Sequence, residues 1–211
     1  MRATEKTELR RRLLKRRRSL SAAEVSHCSR VVCKTLLELP EVIAAPMLAL
    51  YVAFAGEIDL QNLFFECVQQ GKGIALPRYN AAADCYEMVT VSDVERDTTV
   101  GHYGIREPLA HAEPLGDEDC RDPRLTWVVP GVAFDSDGHR LGHGKGFIDR
   151  LLADTRGCRI GAAYDWQVLD RVPATSHDVN VDIVVTENRT LRCSSRNSQQ
   201  DRKSTRLNSS H

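Results

Sequence analysis

The sequence predicts an α/β fold built on a mainly parallel sheet with helices on both faces, and three observations carry that reading. Two apolar runs, Met47 to Phe54 and Leu125 to Val129, lack polar alternation and are rich in branched and aromatic residues, as strands buried on both faces are. Segments with apolar residues at helical spacing lie between the strand candidates. Strands alternating with helices favour parallel pairing through crossover connections.

Taken in chain order, residues 4–18 read as a helix with Leu9 and Leu13 on one stripe and Arg and Lys elsewhere. Ser21-Ala-Ala-Glu24 is a capping box for a second helix, in which Val25, Cys28, Val32 and Leu36 keep helical spacing. After the strand from Met47 to Phe54, Asp59 is placed to cap a helix carrying Leu60, Leu63, Phe64 and Cys67, which Gly71 ends. Gly73 to Leu76 and Tyr86 to Val91 are short strands, and Asp93 to Pro123 reads mostly as loop. Leu125 to Val129 is stopped by Pro130-Gly131, a helix spans Phe147 to Ala153, and Arg159 to Tyr164 and Val181 to Val185 complete the strands. With no internal repeat or linker, residues 1–190 are expected to form one domain, followed by an uncertain end over 191–200. Residues 201–211 have no apolar periodicity and back-translate, codon for codon, into what looks like a common short-read sequencing adapter, so they are set aside from fold reasoning.

The composition, 42% hydrophobic and 27% charged, is that of a globular chain rather than a disordered one. The longest apolar stretch, Val42 to Phe54, has 13 residues and contains Pro46, too short to span a bilayer. Seven scattered cysteines without a C-x-x-C pair and without a secretory leader are expected to be free packing thiols, and the cytoplasm is the expected compartment. The zero net charge hides +7 over residues 1–18, +2 over 201–211 and −9 over the rest. A basic arm on an acidic body suits a polyanion, whether nucleic acid, a membrane surface or one small ligand.

The segment richest in chemistry is Pro130 to Arg150. Gly142, Gly144 and Gly146 alternate ahead of the helix at Phe147, so backbone N–H groups can approach phosphate oxygens, a helix N-terminus adds partial positive charge, and Lys145 adds a full one. The spacing is neither a Walker A motif nor a dinucleotide fingerprint, and by itself the segment also reads as a tight turn. Lys6 and Arg10 share one face of the first helix, a binding pair or a solvated face. Glu57, in Gly56-Glu57-Ile58-Asp59, follows a strand's carboxyl end, where clefts form, though it could equally cap the next helix. Asp149 and Asp182 are acids able to hold a hydrated Mg²⁺, Asp182 being also explicable as a strand-edge charge. His177-Asp178 reads as an acid/base pair or as a loop hydrogen bond.

Together, Lys6-x-x-x-Arg10, Gly56-Glu-Ile-Asp59, Leu76-Pro-Arg78, Gly104-Ile-Arg-Glu-Pro108, Pro130-Gly-Val-Ala-Phe-Asp135, Arg140-Leu-Gly-x-Gly-Lys-Gly-Phe-x-Asp-Arg150 and His177-Asp178 resemble the 5-formyltetrahydrofolate cyclo-ligase family over residues 4–187. The resemblance implies a three-layer, Rossmann-like α/β fold and a reaction that uses ATP as co-substrate and Mg²⁺. It implies nucleotide contacts from Lys6, Arg10, Arg140, Leu141, Gly142, His143, Gly144, Lys145, Gly146, Phe147 and Ile148, with Lys145 and Arg140 serving catalysis. It further implies folate contacts from Glu57 and from His143, Gly144, Lys145, Gly146 and Phe147, and metal contacts from Asp149 and Asp182. Here Ile148 stands where the family usually has a second aromatic, and His143 where Tyr or Arg is frequent. A small-molecule substrate is implied, with no nucleic-acid or membrane partner, and a monomer is the expectation. Two rival readings are a related nucleotide-dependent or coenzyme-A-type transferase and a non-enzymatic module that holds RNA or anionic lipid on its first helix.

Overall fold

A computed structural model of the chain describes residues 2–175 and 177–194, so the end segment 195–211 lies outside the described residues. The helices are α1 (Arg2–Arg18), α2 (Ala22–Glu38), α3 (Pro40–Ala44), α4 (Gln61–Gln69), α5 (Val94–Asp97), α6 (Asp117–Cys120) and α7 (Phe147–Leu152). The strands are β1 (Met47–Ala49), β2 (Gly73–Asn80), β3 (Cys85–Thr90), β4 (Thr98–Val100), β5 (Arg106–Pro108), β6 (Leu125–Pro130), β7 (Ala133–Phe134), β8 (Arg140–Leu141), β9 (Arg159–Ala162), β10 (Ile183–Val185) and β11 (Thr190–Arg192). The capping box forms as expected: the Ser21 hydroxyl accepts from Glu24 N–H, and Ser21 N–H donates to the Glu24 carboxylate at 2.8 Å.

The central sheet has seven strands in the order β11-β10-β9-β6-β1-β2-β3. Pairing is parallel from β10 through to β2, and the two edge strands are antiparallel. The pleat sends alternate residues to opposite faces. Leu48, Ile74, Leu76, Val128, Ile160 and Ile183 meet α2, α3 and α4 on one face through Val32, Leu36, Val42, Leu63 and Cys67. Ala49, Ala75, Trp127, Val129 and Val184 meet Leu152 on the other face, where Ile148 and Leu151 of α7 and Cys120 of α6 pack. The α/β class with helices on both faces is therefore as expected. All seven cysteines are free thiols. Among the described residues no helix is long and apolar enough to cross a membrane.

Three local expectations are corrected. The strand from Met47 ends at Ala49, because Leu50 N–H still bonds Ala75 O but the chain then turns away through Ala55 and Gly56, at φ +49 and +78. Asp59 does not occupy the cap position of α4, yet its carboxylate accepts from Gln61 N–H at 3.0 Å and so does the capping from one residue upstream. Residues 93–123 are less irregular than a loop: α5, the β4–β5 hairpin and α6 lie within them. Arg78 explains how that excursion is held, since its guanidinium bonds Glu87 at 2.6 Å, Leu109 O and Ala112 O.

The switch in strand order places the site. β1 and β6 are neighbours, with β2 beyond one and β9 beyond the other, so the loops leaving their carboxyl ends diverge and leave a crevice. Helix α1 closes one side of it, packing Leu9, Leu13 and Leu14 against Val132, Ala133 and Leu141 of the β7–β8 hairpin.

The capping box also yields a clean stability test, because Ser21 is exposed and touches no core. Ser21→Ala is expected to cost about 1 kcal/mol in urea unfolding, and Ser21→Asp much less. Equal stability of all three chains would mean that α2 is held by packing alone.

Candidate active site

A cleft of about 590 Å³, the size of ordinary small-molecule sites, opens at this crevice. Lys6 and Arg10 of α1 line it, as do Tyr51, Val52, Phe54 and Glu57 after β1, Pro130 at the end of β6, and the whole run from Arg140 to Asp149. The sequence-derived candidates thus converge, with one exception. Asp182 is not among the lining residues; its Oδ2 accepts Arg159 N–H at 2.8 Å at the start of β9.

One wall is cationic and glycine-rich. Arg10 Nε donates to Gly142 O at 2.8 Å, and Lys6 Nζ donates to Asp178 Oδ2 at 2.6 Å. Gly144, at φ +102, takes a conformation that side chains rarely adopt, and a Cβ there would sit 3.2 Å from the Arg10 guanidinium carbon. Arg140, with its side chain 2% exposed, donates through Nη2 to Asp149 Oδ1 at 2.8 Å. Among the described residues, the hydrogen bonds to Asp149 from Arg140 and from Val179 N–H go to Oδ1. The helix that follows the loop is only α7, six residues long, so its dipole adds less than the sequence suggested and the cations and loop amides carry the positive potential.

Beside it the lining is acidic and aromatic. Glu57 is 7% exposed and pairs with the buried Arg17 at 3.3 Å. Its Oε2 accepts Phe54 N–H at 3.1 Å, and its Oε1 lies 3.2 Å from His143 Nε2. Arg17 also donates through Nε to Ala55 O, fastening α1 to the same turn. Tyr164 completes that fastening by donating to Gly56 O at 2.9 Å; burial pushes its phenol up to about 12, so it stays a donor across the neutral range. Phe147 meets Tyr86 edge to face, centroids 5.0 Å apart, and the Arg150 guanidinium covers Phe147 at 4.8 Å.

A second acidic group has a structural explanation. Asp135, Asp137 and His139 present potential ligand atoms within 4.8 Å of one another. The Asp135 carboxylate already accepts from the amides of Asp137, His139 and Val172 and contacts the His139 ring, which folds the β7–β8 hairpin.

A cationic glycine loop facing a buried carboxylate and aromatic rings, at the switch point of a parallel sheet, defines an α/β enzyme acting on small molecules. The sequence model of the 5-formyltetrahydrofolate cyclo-ligase family matches residues 2–187. The cyclo-ligase of Mus musculus is 26% identical over 196 residues, covering 86% of this chain and 93% of the relative. That of Escherichia coli strain K12 is 27% identical over 174 residues, covering 81% and 94%. The solved structure of Aquifex aeolicus 5,10-methenyltetrahydrofolate synthetase has a TM-score of 0.77 to this chain at 37% identity, over 89% of this chain and 92% of that one. The chain belongs to the 5-formyltetrahydrofolate cyclo-ligase family, a family of ligases.

Several lining residues were not singled out as site residues by sequence: Tyr51, Phe54, Pro77, Tyr86, Ile105 and Glu107. Pro77 and Glu107 sit inside motifs that were noticed without a role, and the position of Tyr86 in β3 reads only as strand. Of the two readings of Asp178, the loop hydrogen bond is the one present: its Oδ2 accepts from the Thr175 amide and hydroxyl, and it also pairs with Lys6.

Asp178 supplies a pH test. Burial raises its carboxyl, but hydrogen bonds from Lys6 and from the Thr175 amide and hydroxyl outweigh this and leave it below the usual value. A depressed carboxyl stabilises the fold above its unfolded value of about 3.9 and loses that contribution as pH falls through the folded value. Asp178→Asn is therefore expected to be less stable than the parent by about 1 kcal/mol at pH 7, with the gap narrowing toward pH 3. A gap independent of pH would remove the Lys6 pairing as its source.

Proposed function

We propose that this chain converts 5-formyltetrahydrofolate and ATP into 5,10-methenyltetrahydrofolate, ADP and phosphate in a Mg²⁺-dependent reaction. The observation that carries the reading is that the Lys145 glycine loop and the Glu57 wall share one cleft, so a nucleotide and a folate can meet there. The family membership and the names of the relatives support the substrate and product.

The chemistry explains why such a cleft is sufficient. The formyl group on N5 is an amide, and its oxygen leaves poorly. Transfer of the γ-phosphoryl group from ATP to that oxygen forms an O–P bond and releases ADP. N10 then attacks the formyl carbon, the C–O bond breaks, and phosphate departs as the ring closes with loss of the N10 proton. No covalent enzyme intermediate is needed; the protein's task is in-line positioning and neutralisation of charge. Lys145, the amides of Gly142 to Gly146 and the side chains of Lys6 and Arg10 surround the place for the phosphates, with Lys6 exchanging Asp178 for a phosphate oxygen. Arg140 sets the Asp149 carboxylate and adds charge at the base of the loop.

Asp149 is the residue we assign to Mg²⁺. A carboxylate in the cleft wall, with its hydrogen bonds from Arg140 and Val179 on Oδ1, presents a hard oxygen donor of the kind this cation prefers. The ion supplies charge neutralisation on the phosphates when bound. Asp182, outside the lining, is assigned at most a supporting role through β9. Glu57 faces the folate ring system, where a carboxylate accepts from adjacent ring and amino N–H groups, and Phe147 and Tyr86 offer ring faces and edges to it.

Incubated with 5-formyltetrahydrofolate, ATP and Mg²⁺, the full chain is expected to generate the near-ultraviolet absorbance of the methenyl product. Omitting any one of the three should abolish it. Lys145→Ala should lower turnover about 100-fold. Asp149→Asn should lower it strongly with partial recovery at high Mg²⁺, and Asp182→Asn should fall less than either. ATP hydrolysis that neither needs nor consumes the formyl-folate would overturn the reading in favour of a transferase-like enzyme. Full activity of Asp149→Asn at low Mg²⁺ would move the metal elsewhere.

A further inference from the structure

His143 belongs to both halves of the cleft. Its backbone lies in the glycine loop between Gly142 and Gly144, while its ring reaches the buried carboxylate after β1, with Nε2 3.2 Å from Glu57 Oε1. The same nitrogen lies 3.2 Å from Arg17 Nη2. Nε2 can donate to Glu57 only when it carries a proton, and it can accept from Arg17 only when it does not. The ring therefore has two exclusive ways of engaging the buried pair, distinguished by whether Nε2 carries the proton.

The residues around it give that choice consequences. Glu57 Oε2 is held by Phe54 N–H, whereas the neighbouring Arg17 Nη1, buried and 3.3 Å from Oε1, makes no hydrogen bond among the described residues. His143 is thus placed to donate to Oε1 when Nε2 carries the proton, and with Phe54 N–H on Oε2 it then sets how the carboxylate faces the cleft. Its side chain is 43% exposed and its neighbours are both glycines, so the loop has backbone freedom to lose when a ligand orders it. A ligand that orders the loop fixes the ring, and the ring fixes Glu57.

We propose that His143 is a positioning residue that couples the two ligands: nucleotide on the glycine loop orients Glu57 for folate, and folate on Glu57 orders the loop for nucleotide. This rests on the reading above that the loop takes the nucleotide and Glu57 the folate. Because linkage is reciprocal, each ligand must tighten the other by the same factor. The ordering that one ligand has already imposed is not imposed again by the second.

The test is calorimetric titration of the full chain with β,γ-imido-ATP and Mg²⁺, with and without saturating 5-formyltetrahydrofolate, and the reverse titration. In the parent chain the nucleotide Kd is expected to fall about fivefold or more when folate is present, with a matching change for folate. His143→Ala should still bind each ligand alone, with the coupling factor reduced to about 1. His143→Gln, whose amide N–H can reach a carboxylate oxygen, should recover part of the coupling, which a merely structural defect would not. An unchanged parent Kd with and without folate, or parent-like coupling in His143→Ala, would overturn the proposal. Failure of the parent to bind either ligand would overturn the proposed function itself and this inference with it.

Discussion

The site depends first on a buried ion pair. Arg17 and Glu57, with side chains 1% and 7% exposed, join the end of α1 to the turn after β1. Charges that deep are costly to desolvate, and removing one partner of such a pair typically costs about 3–5 kcal/mol because the other is left uncompensated. The surrounding polar groups answer that cost one by one: Ala55 O accepts Arg17 Nε, Phe54 N–H serves Glu57 Oε2, and His143 reaches both side chains. Gly56 allows the approach, since a Cβ at its φ of +78 would lie 3.2 Å from Arg17 O. Three segments distant in sequence are thereby fixed against one another at the mouth of the switch-point crevice.

The same arrangement explains where the positive charge of the N-terminal segment goes. The face of α1 bearing Leu9 and Leu13 packs on the β7–β8 hairpin, which turns Lys6 and Arg10 toward the cleft, buries Arg17 against Glu57 and leaves Arg11, Arg12 and Lys15 exposed. Each of the three inward cations has an internal acceptor, Asp178, Gly142 O and Glu57 respectively. The three differ in how enclosed the cation is. Lys6 and Arg10 can exchange theirs for phosphate oxygens, whereas Arg17 is enclosed and committed to structure. A basic helix is thus divided between ligand binding and the support of the ligand site.

Much of this was legible in the sequence. The capping box, the strand from Leu125 and the glycine loop each depend on local chemistry, and each appears where its residues imply. Arg17 was not legible, because in a run of Lys and Arg nothing local distinguishes the one residue that finds a buried carboxylate 40 positions away. The early end of β1 was missed for a related reason: Leu50 to Phe54 are apolar enough for a strand, but Tyr51, Val52 and Phe54 line a cleft instead. Residues 93–123 looked irregular because their order comes from Arg78 on another hairpin rather than from their own periodicity. Asp182 shows the converse, a residue whose type suits a metal but whose carboxylate is occupied by a strand amide.

A double-mutant cycle on Arg17→Met and Glu57→Gln, read by urea unfolding and by affinity for 5-formyltetrahydrofolate, tests the dependence of the site on this pair most directly. The expected result is a loss of about 3 kcal/mol or more for Arg17→Met alone, and a double variant clearly more stable than the sum of the two single losses implies. Folate affinity should fall in Arg17→Met even though Glu57 is intact. Small, additive stability losses, with folate affinity in Arg17→Met equal to that of the parent, would contradict the account.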